Sequence, residues 1–180
     1  MINTLFHIIF FEVCWALSII YHDSVLSWLV IPLVAVYLLV ERKFERPRPN
    51  EMILRLSLIA VGLLMELSFR YLGLSNYPSP DYLVPSWLFL VWLSFGLTFS
   101  GCYRWLSRYS IWYSVLLGAV FGPITYWIAS RIAPFEILKP IGFTIISSVF
   151  WGVLYGVSIK LSKPASQESL QLIENTLKSK

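Results

Sequence analysis

Six long apolar windows constrain this chain more than any other feature of its sequence. The chain has 180 residues, of which 57% are hydrophobic and only 13% are charged, more apolar material than one small soluble core hides from water. Each window is within or close to the roughly 17 to 25 residues that span a bilayer core. The windows are residues 2–20, 24–40, 52–74, 83–101, 110–132 and 141–161. The sequence therefore predicts an all-α polytopic membrane protein, with six transmembrane helices forming one bundle over residues 1–162.

Lysine and arginine are distributed unequally between the two sides of this bundle. If the N-terminus is cytoplasmic, all but three of the 14 basic residues fall on the cytoplasmic side. The three exceptions are Arg70, Arg131 and Lys139. The positive-inside rule therefore predicts that both termini are cytoplasmic. Loops that border anionic headgroups also explain the net charge of +4, so the charge does not indicate nucleic acid as a partner.

The two ends of the chain carry different signals. The segment MINTLFHIIFFEVCWALS lacks the basic region of a signal peptide and includes Glu12, so we expect a mature spanning helix there. The cytoplasmic tail at 163–180 places Leu170, Ile173 and Leu177 at helical spacing, with Ser166 as a cap, which predicts a short amphipathic helix. This helix would lie on the membrane or contact a partner protein or second copy of the chain. The alternative is that it frays in water.

Small residues spaced by four follow three of the predicted helices. They are Gly96 and Ser100 in the fourth segment, Ser114, Gly118 and Gly122 in the fifth, and Ser148, Gly152 and Gly156 in the sixth. Helices in lipid gain dispersion contacts by approaching closely along such stripes. The stripes therefore predict that segments four, five and six pack tightly together.

A layer of polar and aromatic residues emerges when each span is laid across the bilayer at a rise of 1.5 Å per residue. Its members are Glu12, Glu66, Trp92, Pro123 and Trp151. A carboxylate near the bilayer centre costs about 2.5 to 3.5 kcal/mol on insertion scales, so Glu12 and Glu66 are expected to face the interior, neutral or paired. Arg70 lies one turn from Glu66 and is the nearest candidate partner for it.

Pro123 lies inside the fifth predicted helix, where it has no N–H to donate to the carbonyl of Ala119. Thr125, Tyr126 or a trapped water would satisfy the freed carbonyl, and the kink would open a polar pocket. One interpretation is an intramembrane cavity with aromatic walls and a charged floor, formed by Trp92, Trp151 and Tyr126 and by Glu12, Glu66 and Arg70. The other is that the charged residues only clasp neighbouring helices.

Motifs for catalysis or metal binding are absent from the sequence. It has no nucleophile elbow, Walker loop or zinc-binding cluster, and its only histidines are His7 and His22. We therefore expect no metal and no cofactor, and we assign no catalytic residue. His7 is interpreted as a hydrogen-bonded structural residue. Glu12 and Glu66 are a candidate carboxylate pair for acid/base chemistry if their helices adjoin.

Two runs in the second half of the chain carry a resemblance. They are PSWLFLVWLSFGLTFSGCYRWL from Pro85 and LLGAVFGPITYWIASRIA from Leu116. They resemble a family of small bacterial inner-membrane proteins of unknown function with the pattern P-x-W-x4-W-x2-F followed by G-A-x2-G-P-x2-Y. Glu66 corresponds to an acidic position in the third span of that family. The resemblance implies a multi-pass inner-membrane protein whose relatives are encoded near lipid-modification enzymes.

This chain departs from the family pattern at one place. Ser100, Gly101 and Cys102 stand where the family has Asn-His-Ser, so an activity that depends on that histidine is not expected here.

Three functions are compatible with these observations. The first is a protein that binds membrane lipid or a hydrophobic small molecule in the aromatic pocket, as an accessory to membrane-lipid metabolism. The second is a transport component of the size of the substrate-binding subunits of energy-coupling-factor transporters. The third is a membrane enzyme that acts on lipid through Glu12 or Glu66. A pocket that opens sideways to lipid favours the first or third function, and one that opens to the outer aqueous side favours the second.

Overall fold

The structure is a computed structural model that describes residues 4–44, 49–78 and 84–162. The described residues form six α-helices and two short strands. The helices are α1 (Thr4–Ile20), α2 (Val30–Phe44), α3 (Pro49–Tyr71), α4 (Ser86–Tyr103), α5 (Ile111–Ile132) and α6 (Pro140–Ser162). Turns of 3₁₀-helix precede α2 and follow α4, at Val25–Leu29 and Arg104–Arg108. The tail helix predicted around Leu170 lies outside the described residues.

The helix ends follow from proline and glycine. Pro49 and Pro140 occupy the first positions of α3 and α6, where the missing N–H costs nothing. Gly73 follows α3 with a φ of 62°, a left-handed conformation that glycine adopts without strain. The N–H of Leu74 donates to the carbonyl of Phe69 and the N–H of Gly73 donates to that of Arg70, which makes a Schellman motif.

Two strands tie together the loops that follow α3 and α5. β1 (Ser75–Asn76) pairs antiparallel with β2 (Glu136–Ile137), and the N–H of Leu138 also donates to the carbonyl of Leu74. We call this end of the bundle the strand end. The pairing holds Phe135 against Tyr77, with their rings stacked 6.4 Å apart.

Five helical segments are long and apolar enough to cross a membrane. They are Val25–Phe44, Asn50–Tyr71, Ser86–Arg108, Ile111–Ile132 and Pro140–Ser162. The sixth, α1, is also apolar but has only 17 residues. The prediction of a helical protein with membrane-spanning helices is confirmed, and the count of six spans with cytoplasmic termini stays a prediction. The chain is a helical protein with membrane-spanning character.

α4 occupies the centre of the bundle. It packs mainly against α1 and α3, while α5 packs mainly against α6. Across the bundle, large aromatic side chains of α4 meet those of α6, and the ring of Trp92 stacks on that of Trp151 at 5.2 Å with an interplanar angle of 14°. The two groups of helices therefore meet through rings rather than through close backbones.

The stripes of small residues lie at two different helix–helix interfaces, one between α5 and α6 and the other between α3 and α4. In α5, an added Cβ at Gly118 would overlap the backbone carbonyl of Trp151, and one at Gly122 would overlap the Trp151 ring. In α6, Gly152 and Gly156 face Val115. Ser114 is fully buried and Ser148 is half-buried.

The stripe on α4 faces a helix other than the expected ones. A Cβ at Gly96 would meet Ile59 of α3, and Ser100 is buried on the same helix. The physical reason is that the side of α4 toward α6 carries aromatic residues such as Trp92 and Phe99, which hold the backbones apart.

Replacing Gly118 with alanine is expected to lower the free energy of unfolding by about 1 to 3 kcal/mol, because the new methyl group meets backbone that cannot rotate away. Gly142→Ala is the matched control, since the nearest atom to its added Cβ is a Leu74 methyl at 3.6 Å. Its stability should be unchanged or slightly higher. Unfolding in mixed micelles measures both variants, and equal stabilities would contradict the close α5–α6 contact.

Candidate functional site

A cavity of about 310 Å³ lies between α1, α4, α5 and α6, with Glu66 contributed by α3. This volume is at the lower end of the roughly 300 to 1,000 Å³ typical of ligand pockets. Its lining is mainly aromatic and aliphatic. The lining residues are Phe11, Glu12, Trp15, Ile19, Glu66, Trp87, Leu88, Val91, Trp92, Phe95, Tyr103, Leu117, Phe121, Gly122, Thr125, Tyr126, Ala129, Phe135, Trp151 and Tyr155.

The cavity is long because side chains from both ends of α4 line it. Trp87 stands at the strand end and Tyr103 at the other end, 16 residues later. At 1.5 Å per residue these positions are about 24 Å apart along the helix. The shape therefore suits an elongated apolar molecule.

Glu66 is the polar centre of the cavity and is fully buried. Its Oε1 accepts a hydrogen bond from Trp92 Nε1 at 3.0 Å and another from the hydroxyl of Tyr126. The local sequence explains this arrangement: Gly62 lies one turn before Glu66, and an added Cβ there would overlap the ring of Trp92. The missing side chain at Gly62 thus lets the indole lie beside the carboxylate.

Two polar atoms in the cavity lack hydrogen-bond partners among residues 4–44, 49–78 and 84–162. They are Glu66 Oε2 and Trp151 Nε1. Glu66 is 0% exposed and Trp151 is 7% exposed, so bulk water does not satisfy them. Buried polar atoms are normally paired because an unpaired one costs about 1 to 3 kcal/mol.

The mouth of the cavity is formed by residues of α1 and α5 that are themselves exposed. Glu12 lies at the middle of α1, and Phe121 and Thr125 lie in the central part of α5. All three line the cavity. The cavity therefore opens sideways between α1 and α5, part-way along both helices.

The sequence predicts eight residues for the pocket, and six of them line the cavity. The other two, Arg70 and Pro123, do not. The guanidinium of Arg70 lies over the ring of Tyr77, 4.8 Å from its centroid. Pro123 is buried within α5, which continues through it from Ile111 to Ile132. The hydroxyl of Thr125 donates to the carbonyl of Gly122 at 2.6 Å.

Arg70 was the expected partner of Glu66, but the structure provides others. The indole N–H of Trp92 and the hydroxyl of Tyr126 donate hydrogen bonds to the Glu66 carboxylate instead. The reason is that Arg70 lies one turn nearer the strand end, where its guanidinium reaches the aromatic ring of Tyr77.

A second buried polar network lies at the end of the bundle where α2 ends and α3 begins. Arg55 donates two hydrogen bonds of 2.6 Å to the two oxygens of Glu41, and both residues are at most 1% exposed. The hydroxyl of Tyr37 donates to Glu41 at 3.4 Å and lies 2.9 Å from Nδ1 of His7. Arg55 is 11 residues before Glu66, about 16 Å along α3, so the two polar centres are separate.

The sequence did not reveal this network because Glu41 opens a charged stretch that resembles a linker. One signal pointed to it. Arg55 is a lone charge within the apolar run MILRLSLIAVGLL, and such a residue in a span is expected to face the interior and find a partner.

The polar groups around Glu66 suit a ligand that forms hydrogen bonds. The described part of the chain has no cluster of three or more His, Cys, Asp or Glu residues that would hold a metal ion. Cys14 and Cys102 are buried, free thiols. The cavity thus combines an apolar slot with the unpaired Glu66 Oε2, the N–H of Trp151 and, at its mouth, the carboxylate of Glu12.

The chain matches the model of a protein family. No curated protein and no solved structure matches the chain. The model of a family described as "Protein of unknown function (DUF2878)" matches residues 4–157, which include all of α1 to α5 and most of α6. Because this match covers well over half of the chain, the protein belongs to that family.

Proposed function

We propose that the protein binds a lipid or another hydrophobic molecule in this cavity, as an accessory to membrane-lipid metabolism in a bacterial cytoplasmic membrane. In this proposal α1 is the first of six spans and both termini are cytoplasmic. The 17 residues of α1 are at the lower end of the length that a bilayer requires. The excess of lysine and arginine on one side supports the orientation.

The sideways opening between α1 and α5 is the observation that carries the proposal. A hydrophobic molecule in the bilayer can enter there without crossing the headgroup region. A transport component for a water-soluble solute would instead need an opening at an aqueous end. At the strand end the cavity is lined by Trp87 and Phe135, next to the paired strands.

Closing the mouth should reduce ligand retention. Thr125→Trp places an indole at an exposed position of the mouth. Displacing about two methylene groups of a bound chain costs about 1.6 kcal/mol, which is about tenfold in affinity. We therefore expect the fraction of protein that carries a ligand in native mass spectra to fall about tenfold in the limit of weak binding.

The neighbouring residue provides the control. Ile124 is 43% exposed and does not line the cavity, so Ile124→Trp adds the same indole outside the mouth. Its spectrum should match that of the wild type. Equal retention in all three proteins would reject the proposed route through α1 and α5.

A membrane enzyme that acts on lipid is the second candidate, because Glu12 and Glu66 line the same cavity. A carboxylate there would act as a general base. The test is to incubate the wild type, Glu12→Gln and Glu66→Gln with a bacterial lipid extract and to compare lipid masses afterwards. A product formed by the wild type and lost in a variant would favour the enzyme. Identical lipid masses would favour binding alone.

A further inference from the structure

The two unpartnered atoms of the cavity belong to a single cluster of side chains. Trp92 donates to Glu66 Oε1 and stacks on Trp151, and Tyr126 donates to the same Oε1 while its ring centroid lies 6.4 Å from that of Trp151. Neither Glu66 Oε2 nor Trp151 Nε1 has a hydrogen bond of standard geometry, and Tyr126, which donates to Glu66 and lies close to the Trp151 N–H, links the two atoms. One is an acceptor in the carboxylate form and the other is always a donor.

A ligand that satisfies both atoms needs a donor and an acceptor in one small group. A hydroxyl provides both, because it donates one proton and accepts through two lone pairs. An ammonium group donates but does not accept from the indole. A carboxylate or phosphate accepts but is repelled by Glu66, and a plain hydrocarbon leaves both atoms unpaired.

The depth of the cluster also favours a small uncharged head. Trp151 lies at the middle of α6, and Glu66 lies five residues before the end of α3, so both are inside the apolar layer. Bringing a charged headgroup to that depth is costly. The cavity around the cluster is apolar over most of the length of α4, which matches a single long chain.

We propose that the cavity recognises a long-chain alcohol, with the hydroxyl between Glu66 Oε2 and Trp151 Nε1 and the chain along the aromatic slot. This inference rests on the proposed function, since it assumes that the cavity takes up a hydrophobic molecule. It adds the chemical class of the polar end. The negative charge of the Glu66 carboxylate disfavours the phosphate of a phospholipid in the deep part of the slot.

A matched series of probes tests the headgroup. The purified full-length protein, in nanodiscs, is offered an equimolar mixture of 1-hexadecanol, hexadecylamine, hexadecanoate and hexadecane. After it is purified again, the bound probes are extracted and quantified by mass spectrometry. The chains are identical, so their ratio reports the head alone. We expect about tenfold or more hexadecanol over hexadecane, from two hydrogen bonds of which one is to a charged group.

Variants then assign the preference to the two atoms. Glu66→Gln replaces the free acceptor by an amide that also donates, and Trp151→Phe removes the indole N–H while keeping an aromatic ring. Both should lower the hexadecanol to hexadecane ratio, since Trp151→Phe removes one hydrogen bond and Glu66→Gln replaces a bond to a charged group with a weaker neutral one. Trp112→Phe is the matched control, because Trp112 is 74% exposed and does not line the cavity, and its ratio should equal that of the wild type.

The outcomes separate this inference from the proposed function. If all four probes bind equally, the cavity takes up chains but a trapped water satisfies the two atoms, and the alcohol inference is overturned. A preference for the amine or the acid also overturns it. If no probe is retained, both the inference and the proposed function fail. A hexadecanol preference that persists in Glu66→Gln and Trp151→Phe would place the hydroxyl elsewhere and contradict the assignment.

Discussion

Arg55→Met is expected to lower the free energy of unfolding by about 3 to 5 kcal/mol, because it leaves the Glu41 carboxylate buried without its charged partner. The Glu41 side chain is 1% exposed, so water cannot replace the lost guanidinium. Tyr37 would remain as a single donor at 3.4 Å, which is too weak to compensate. Unfolding in mixed micelles with increasing SDS provides the measurement.

Two further variants separate the ion pair from a general effect of losing arginine. In the double variant Glu41→Leu/Arg55→Met, the whole pair is apolar, and stability should return close to that of the wild type. Arg108→Met changes an exposed arginine and should alter stability by no more than about 0.5 kcal/mol. A double variant as unstable as Arg55→Met would mean that Glu41 is not the reason for the loss.

Tyr126→Phe is expected to lower the free energy of unfolding by about 1.5 to 3 kcal/mol. The variant removes one of the two donors to a fully buried carboxylate and leaves Trp92 as the other. The phenyl ring keeps the packing of Tyr126 against Phe143 and Phe135, so the change reports the hydrogen bond. The same mixed-micelle titration measures the loss.

A double-mutant cycle with Glu66→Gln identifies the partner. If Tyr126 stabilises the fold through Glu66, the two changes should be non-additive by about 0.5 to 3 kcal/mol. Tyr113→Phe is the control, because Tyr113 is 62% exposed and its stability should not change. Additive effects of Tyr126→Phe and Glu66→Gln would show that the hydrogen bond contributes little.

The helices and the depth of the polar layer could be predicted because they depend on local rules. Apolar runs of fixed length predict spans, and the rise of a helix sets which residues of different spans lie at one depth. That depth rule selected Glu66, Trp92 and Trp151, which the structure brings to one cavity. The sequence could not show that Phe11 and Phe135 also line it, because Phe11 is one of several aromatic residues in α1 and Phe135 lies in the loop between α5 and β2.

Contacts that depend on the rotation of a helix about its axis were beyond the sequence. Gly96 faces α3 although its spacing suggested α5 or α6. Glu41 belongs to the end of α2, although its neighbours in sequence are charged and suggest a loop. Arg70 and Glu66 share a helix face at a spacing of one turn. Even so, the carboxylate of Glu66 accepts from Trp92 on another helix, and Arg70 lies over the ring of Tyr77.

The central position of α4 has a consequence for biogenesis. Of the five long spans, the one that contains α4 is the most enclosed by the rest of the protein. The hydroxyls of Ser94 and Thr98 donate to carbonyls of α4 itself. These polar groups are therefore satisfied within the helix and do not need a partner from lipid or from another helix. In the proposed membrane topology, we therefore expect α4 to be stabilised in the bilayer mainly by the helices α1 and α3 that pack against it. Because α5 and α6 contribute part of the cavity lining, we expect the cavity to be complete only after both helices have been made.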